Sequence, residues 1–223
     1  MGSPSLHSLQ VGLPRTLGDP HNPRERPWTT GFYKEAITGP VALSRLNLAG
    51  DGQADLTKHG GVDKAVLAYS RDHYPYWQEQ IGRVLPYGAF GENLTITNQT
   101  EETVCVGDSY RLGTAIIQVS QPRQPCWKLS RRWRRDSLAQ EVIANGKTGW
   151  YCRVLEEGMM ETGQELILLE RPLPEWAIAR VNYLMHRDRQ NLADTWKLVQ
   201  CPLLSQSWRQ QLQKRFPPDK TPP

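Results

Sequence analysis

The chain has no Cys-x-x-Cys pair, no run of 18 apolar residues and no strong excess of either charge. Each absence removes a class of protein. Its four cysteines, Cys105, Cys126, Cys152 and Cys201, lie far apart, which argues against a zinc ribbon or a disulfide framework. Residues 1–12 carry neither a basic n-region nor an apolar h-region, so no secretory signal is read there. Reduced thiols and a cytoplasmic location are the expectation. Without a long apolar run, no membrane span is expected either. The 27 basic and 23 acidic residues leave a net charge of +4, too slight for stable nucleic-acid binding and suited to small anionic ligands.

What is there is a chain of two textures. From residue 8 to 171, short β-favouring runs alternate with glycine-rich turns. Leu9 to Val11, Val41 to Leu48, Ala65 to Tyr69, Leu94 to Thr97, Thr103 to Val106, Ser109 to Leu112, Ala115 to Ser120 and Glu165 to Leu169 read as strands. Many short strands of this kind predict a mainly β domain, a twisted antiparallel sheet closed into a barrel. The proline-rich segment Pro14 to Thr30 reads as a long surface loop. Two helices interrupt the strands. One starts at Ser70, carries Tyr74, Trp77 and Ile81, and stops at Gly82. The other has capping-box spacing at Ser137 and Gln140 and stops at Gly146.

From 172 to 216 the period changes to helical. Ile178, Val181 and Met185 mark one helix, Leu192, Trp196 and Val199 a second, and Leu204, Trp208, Leu212 and Phe216 a third. This predicts a small three-helix appendage whose apolar stripes are buried among themselves or on the barrel. Residues 217–223 read as a disordered tail.

The segment richest in chemistry is Gln121-Pro122-Arg123-Gln124-Pro125-Cys126-Trp127-Lys128. Two prolines fix two φ angles and remove two backbone donors, so the chain is forced out of the sheet on a stiff turn. A thiol held there between Arg123 and Lys128 is placed for chemistry, because nearby cations favour the reactive thiolate. Cys105, Cys152 and Cys201 lie in apolar contexts and read as core packing.

Two further turns stand out. Lys58-His59-Gly60-Gly61-Val62-Asp63-Lys64 offers glycine amides flanked by lysines, which suits an anion cradle or a purely structural turn. His59 either belongs to that cradle or hydrogen-bonds within the turn. In Phe90-Gly91-Glu92-Asn93-Leu94, Glu92 and Asn93 are expected to hold backbone groups of neighbouring loops, and His73 to be structural. The run Arg131-Arg132-Trp133-Arg134-Arg135 reads as a solvated basic face or a docking patch for an acidic protein, with base stacking the lesser reading.

Taken together, these pieces resemble the MOSC family, named for the C-terminal domain of molybdenum-cofactor sulfurases, and its stand-alone YiiM-type members. The matching segments are Gly12-Leu13-Pro14-Arg15, Thr30-Gly31-Phe32-Tyr33-Lys34, Gly50-Asp51-Gly52-Gln53-Ala54-Asp55, His59 to Ala65, Gly88 to Leu94, the cysteine turn and Thr148-Gly149-Trp150-Tyr151. Pro202-Leu203-Leu204-Ser205 and Ser207-Trp208 resemble the three-helix appendage of that group.

The resemblance implies a β-barrel-type fold that binds the molybdenum cofactor, with Cys126 as the protein ligand to the metal. A soft thiolate suits a metal already held by dithiolene sulfurs. By the same carry-over, Lys34, His59, Gly60, Gly61, Arg123 and Lys128 are expected around the cofactor. Relatives reduce N-hydroxylated compounds, including hydroxylamino nucleobases, which is a detoxifying reaction; others are thought to carry cofactor or sulfur. With no iron–sulfur segment of its own, an enzyme of this kind draws electrons from a separate flavin or iron–sulfur reductase.

Overall fold

The computed structural model describes residues 2–22 and 25–216. Twelve strands are present among them: β1 (Leu6–Val11), β2 (Arg15–Leu17), β3 (Trp28–Thr30), β4 (Glu35–Ala36), β5 (Val41–Leu43), β6 (Val66–Ser70), β7 (Leu94–Ile96), β8 (Ser109–Leu112), β9 (Ala115–Pro122), β10 (Trp150–Glu156), β11 (Gly158–Met160) and β12 (Leu166–Glu170). The helices are α1 (Leu56–His59), α2 (Tyr74–Ile81), α3 (Trp127–Trp133), α4 (Leu138–Asn145), α5 (Ile178–His186), α6 (Leu192–Gln200) and α7 (Gln206–Gln213).

Eight strands form one sheet in the order β12-β8-β9-β10-β6-β7-β1-β4. The sheet is mixed: β6 and β7 run parallel, Ala68 opposite Leu94, while its other pairs are antiparallel. Its ends meet. Ser5 bridges Glu165, and the Leu6 and Leu166 amides donate to Gln164 and Pro4 at 2.9 Å, so the sheet curls back on itself in a barrel-like way. The expected architecture is therefore present, with one parallel pair that short-strand patterning did not reveal.

Strict alternation sets which side chains face inward. Along β10, Trp150, Cys152 and Val154 are buried while Tyr151 and Arg153 are half-exposed on the opposite face. The barrel core collects Leu6, Leu9, Leu94, Ile117, Val119 and Trp150, and it is continuous with the appendage. Ile178, Val181, Leu198, Trp208 and Leu212 belong to that same cluster, so the helical stripes are buried both on one another and on the sheet. Backbone bonds seal the junction: Ile178 to Val104 at 2.8 Å and Ser205 to Ser120 at 2.9 Å. A second cluster, built on Tyr69, Trp77, Phe90, Leu129 and Val142, lies under α2, α3 and α4.

Several expectations need correction. Pro14 to Thr30 is in part a hairpin, because Arg15–Leu17 pairs with Trp28–Thr30 and the Thr16 and Thr29 hydroxyls meet at 3.0 Å. Thr103 to Val106 is a turn: the Val106 amide donates to the Trp176 carbonyl and the Val104 carbonyl accepts from Ile178, so Cys105 faces Ala177 of the appendage entry instead of a neighbouring strand. The Val41 to Leu48 strand ends at Leu43, where Ser44 and Asn47 make a tight turn. Ser70 caps as expected, accepting from the Asp72 amide, and Gly82 ends α2 in the left-handed region. At α4 the capping box does not form, since the Ser137 hydroxyl donates to Glu141 at 2.5 Å. The tail 217–223 lies outside the described residues.

The five-residue basic run is not a solvated face. Its residues 131–135 span the end of α3, and Arg132 is folded inward, donating to the Phe32 and Gly88 carbonyls at 3.0 and 2.8 Å. Arg135 pairs with Glu141 at 2.7 Å, and the Arg134 side chain, 91% exposed, makes only a loose surface pair with Glu25 at 4.0 Å.

Candidate functional site

β9 leaves the sheet at Pro122, the turn 123–125 follows, and Cys126 precedes α3 with extended backbone (φ −108, ψ 169). Two bonds fix Arg123. Its amide donates to the Gly149 carbonyl at 3.0 Å, and its Nη2 donates to the Phe90 carbonyl at 2.8 Å. The side chain is buried, yet Nη1 has no acceptor among the described residues. A buried guanidinium donor without a partner is costly unless a ligand supplies one.

That orphaned donor lines a cleft of about 620 Å³, counting its open mouth. Lys34, His59, Arg123, Cys126 and Lys128 are all on its walls, together with Lys64 and Tyr151. The structure thus brings five of the expected site residues together from three separate segments. Gly60 and Gly61 do not line it. Gly61 takes φ +94 to make the turn and accepts the Lys64 amide, while Gly60 packs on Leu56; their role is to shape the turn that presents His59 and Lys64. The Lys58 side chain lies outside the described part.

Close packing of loops builds the floor. A Cβ on Gly31 would sit 2.2 Å from the Gly52 carbonyl oxygen, so the two loops touch only because Gly31 has no side chain. Glu92 is fully buried and accepts from the Gly88 and Phe90 amides at 2.8 and 3.0 Å, from Thr95 at 3.1 Å and from the Tyr74 hydroxyl. Asn93 accepts from the Leu67 amide at 3.1 Å and donates to Asp51 at 2.9 Å. Both therefore hold loops, as their place in the turn suggested. His73 is buried against Glu101 at 2.6 Å and is structural.

The charges are unevenly distributed. Lys34 is tied to the buried carboxylate of Asp51, which also accepts the Gly12 amide at 2.9 Å, so its charge is already balanced within the protein. Burial holds its pKa down, with Asp51 opposing. Burial also lowers His59, and Lys64, Lys128 and Arg123 lower it further, leaving the imidazole neutral at pH 7. Burial lowers Lys64 as well, and it raises the Tyr151 phenol, with Arg123 opposing and Cys126 adding to the rise. Lys128 donates to the Thr29 carbonyl at 2.9 Å, fastening the β2–β3 hairpin beside the cysteine turn. All four cysteines are free; Cys126 is half-exposed and the other three are buried. Burial pushes Cys152 up to about 12 and Cys105 up as well, which makes them inert packing groups.

Residues 55–167 match the MOSC domain family, and residues 176–216 match the YiiM-like, 3-alpha helix domain. The crystal structure of YiiM from Geobacillus stearothermophilus superposes with a TM-score of 0.80 at 38% identity, covering 95% of this chain and 98% of that one.

The chain belongs to the MOSC family.

YflK of Bacillus subtilis (strain 168) is 43% identical over 211 residues, 95% of this chain and 94% of that protein. A protein of Gibberella moniliformis named "Reductase" is 37% identical over 179 residues, which make up 78% of this chain and 32% of that protein. MOSC domains are associated with the molybdenum cofactor, and the donor set of the cleft can be tested against that group. It fits on two grounds. A half-exposed thiol gives the soft ligand that a thiophilic metal takes, and the unpaired Arg123 Nη1 with nearby Lys64 and Lys128 suits an anionic group.

Two wall residues escaped assignment from sequence. Tyr151 could have been found by alternation, since it faces away from buried Trp150 and Cys152. Lys64 was visible in the His-Gly-Gly turn only as a flanking charge. Asp51, which balances Lys34, gave no signal, because an Asp between two glycines reads as a plain turn.

Among the described residues, no group of three or more His, Cys, Asp or Glu side chains could hold a metal ion by itself. No described helix is long and apolar enough to cross a membrane.

Proposed function

We propose that this MOSC protein is a molybdenum-cofactor-dependent oxidoreductase that reduces N-hydroxylated compounds to amines, drawing electrons from a separate reductase. The observation that carries the reading is the convergence of the Cys126 thiol and the unpaired Arg123 Nη1 on one cleft walled by cations. The reductase-named relative supports the reaction type, and its match covers only 32% of that protein, which leaves room there for parts with no counterpart in this chain.

In this reading Cys126 is the protein ligand to the metal, and Arg123, Lys64 and Lys128 compensate the cofactor's negative charge. When bound, the cofactor supplies the two-electron change. The overall conversion is R–NHOH + 2 e⁻ + 2 H⁺ → R–NH₂ + H₂O, so the site must deliver protons. Neutral His59 is suited to that role, because an anionic ligand beside it offsets the three cations and raises its proton affinity. Tyr151 borders the same space and stays protonated over the working pH range.

The test is molybdenum and pterin analysis of protein purified without oxygen from cells that make the cofactor. An assay with an N-hydroxylated purine and a chemical reductant then follows. Near-stoichiometric metal and amine formation are expected. Well-folded protein with neither metal nor turnover would end the proposal.

The His59 shift gives a pH dependence with a definite sign. Its pKa in the free site lies below the ordinary 6.5, and binding an anion raises it, so binding takes up a proton. Affinity for an anionic ligand should therefore strengthen as pH falls through the bound-state value, and level off below the free-state value. Calorimetry in buffers of different ionisation enthalpy should show this uptake, and His59→Gln should abolish it. An unchanged uptake in that variant would remove His59 from the site.

For the electron donor we propose the exposed end of the basic run as the docking face. Arg134 is exposed, with only a loose surface pair to Glu25, while Arg132 is folded inward, so Arg134→Glu should weaken turnover driven by an acidic reductase several-fold and leave turnover with a chemical reductant unchanged. Equal rates with the protein donor would exclude this face as the docking patch.

A further inference from the structure

Lys34 lines a second pocket as well as the cleft. This pocket, about 700 Å³ counting its mouth, is walled chiefly by Arg15, Tyr33, Tyr87 and Arg132, with Glu35 on its border. Nothing in the proposed reaction uses it.

Its charges are arranged unusually. One aromatic ring, Tyr33, carries two guanidiniums, Arg15 at 4.3 Å and Arg132 at 4.7 Å from the ring centroid. Among the described residues neither arginine forms an ion pair with a carboxylate. Stacking on the ring offsets part of their mutual repulsion, and the buried Glu92 carboxylate offsets part of the charge on Arg132 without pairing to it. Burial lowers the proton affinity of Arg132, with the buried Glu92 carboxylate opposing and Arg15 adding a smaller push downward. Arg132 is locked in place, since its Nη1 donates to the Phe32 and Gly88 carbonyls. Its other nitrogens, and all of Arg15, have no acceptor among the described residues.

Two guanidiniums facing one pocket, Arg132 locked and Arg15 exposed and resting on the Tyr33 ring, match a tetrahedral dianion better than a carboxylate. A phosphate monoester offers three equatorial acceptors to the forked donors and carries the charge needed to offset both cations. Lys34 adds a shared wall but little charge, because Asp51 neutralises it. Tyr87 supplies an aromatic wall against which a ring attached to the phosphate could rest.

We infer that the Tyr33 pocket is a phosphate-monoester subsite holding the anionic tail of a ligand whose other end reaches the Cys126 cleft across Lys34. The phosphate site stands on its own geometry; the reach toward Cys126 rests on the reading of the cleft given above. The phosphate has two chemical sources, a nucleotide form of the substrate or the phosphate of the cofactor itself.

Calorimetric titration of the full chain with inorganic phosphate, AMP and adenosine at fixed low salt tests this. AMP should bind at least about ten times more tightly than adenosine, and inorganic phosphate should compete with it. The exposed substitution Arg15→Ala should weaken AMP roughly ten-fold or more while circular dichroism stays unchanged. Equal binding of AMP and adenosine, no binding of either, or AMP affinity indifferent to Arg15→Ala would overturn the subsite. Repeating the titration on cofactor-loaded protein separates the sources: retained AMP binding assigns the pocket to a nucleotide substrate, and lost binding assigns it to the cofactor's phosphate. Because the first titrations need neither metal nor turnover, their failure is distinct from failure of the oxidoreductase reading.

Discussion

Cys126→Ala is expected to lose bound molybdenum and all measurable turnover while keeping its fold. The thiol is half-exposed at the mouth of a cleft and makes no hydrogen bond that holds the chain, so its removal touches little packing. Substitutions of that kind usually cost under about 0.5 kcal/mol, which for a domain of this size moves Tm by about 2 °C or less. Loss of the protein's own ligand should instead lower metal retention by more than about 100-fold, beyond what loss of a supporting hydrogen bond does. Cys126→Ser should fail in the same way, since a hard hydroxyl oxygen is a poor substitute for a thiolate on a dithiolene-bound metal. Metal analysis beside a melting curve separates the two effects. Full metal content in the alanine variant would remove Cys126 as ligand, whatever happened to turnover.

Glu92→Ala should have the opposite signature, a large loss of stability from a residue that never touches the ligand. The carboxylate is fully buried and receives two backbone amides, the Thr95 hydroxyl and the Tyr74 hydroxyl. Alanine leaves those four donors buried without an acceptor, at a cost of about 3 kcal/mol or more. For a chain of this length that is a drop in Tm of about 6–12 °C, readable by calorimetry. A second consequence follows from position. The Phe90 carbonyl, held by this turn, accepts from Arg123 Nη2, so loosening the turn should also weaken retention of an anionic ligand. Glu92→Gln should fall between wild type and alanine, because the amide keeps one acceptor oxygen. A Tm within 2 °C of wild type for Glu92→Ala would mean that water or a shifted loop satisfies the donors.

The two variants mark where sequence reasoning worked and where it could not. The cysteine turn was legible because prolines act locally: Pro122 and Pro125 restrict their own φ whatever surrounds them. Helix α2 was legible for the same reason, with Ser70 capping the 3-10 turn Arg71–His73 that leads into it and a left-handed glycine at Gly82. The loop-holding role of Glu92 and Asn93 was also in reach, because a short turn leaves nearby amides that only such side chains can serve.

Non-local matters were not legible. Thr103 to Val106 has strand composition, yet its backbone groups bond to the appendage entry near Trp176, some seventy residues away in sequence. Four arginines in five residues look solvated, yet Arg132 is drawn inward by carbonyls of Phe32 and Gly88, which the fold alone brings beside it. Short apolar runs also gave no hint that β6 and β7 are parallel, since strand direction leaves no mark on side-chain periodicity.

By itself, then, the sequence determined the mainly β domain, the helical appendage and the stiff proline turn that carries Cys126. Those depend on local propensity, periodicity and motif. Only the tertiary structure decided that Lys34, His59, Lys64, Arg123 and Lys128 surround that thiol, that Asp51 already balances Lys34, and that Arg15 and Arg132 meet over Tyr33. The reason is physical: a site's charge balance and its unpaired donors are sums over segments distant in sequence. Those sums have no value until sheet closure and loop packing fix the distances.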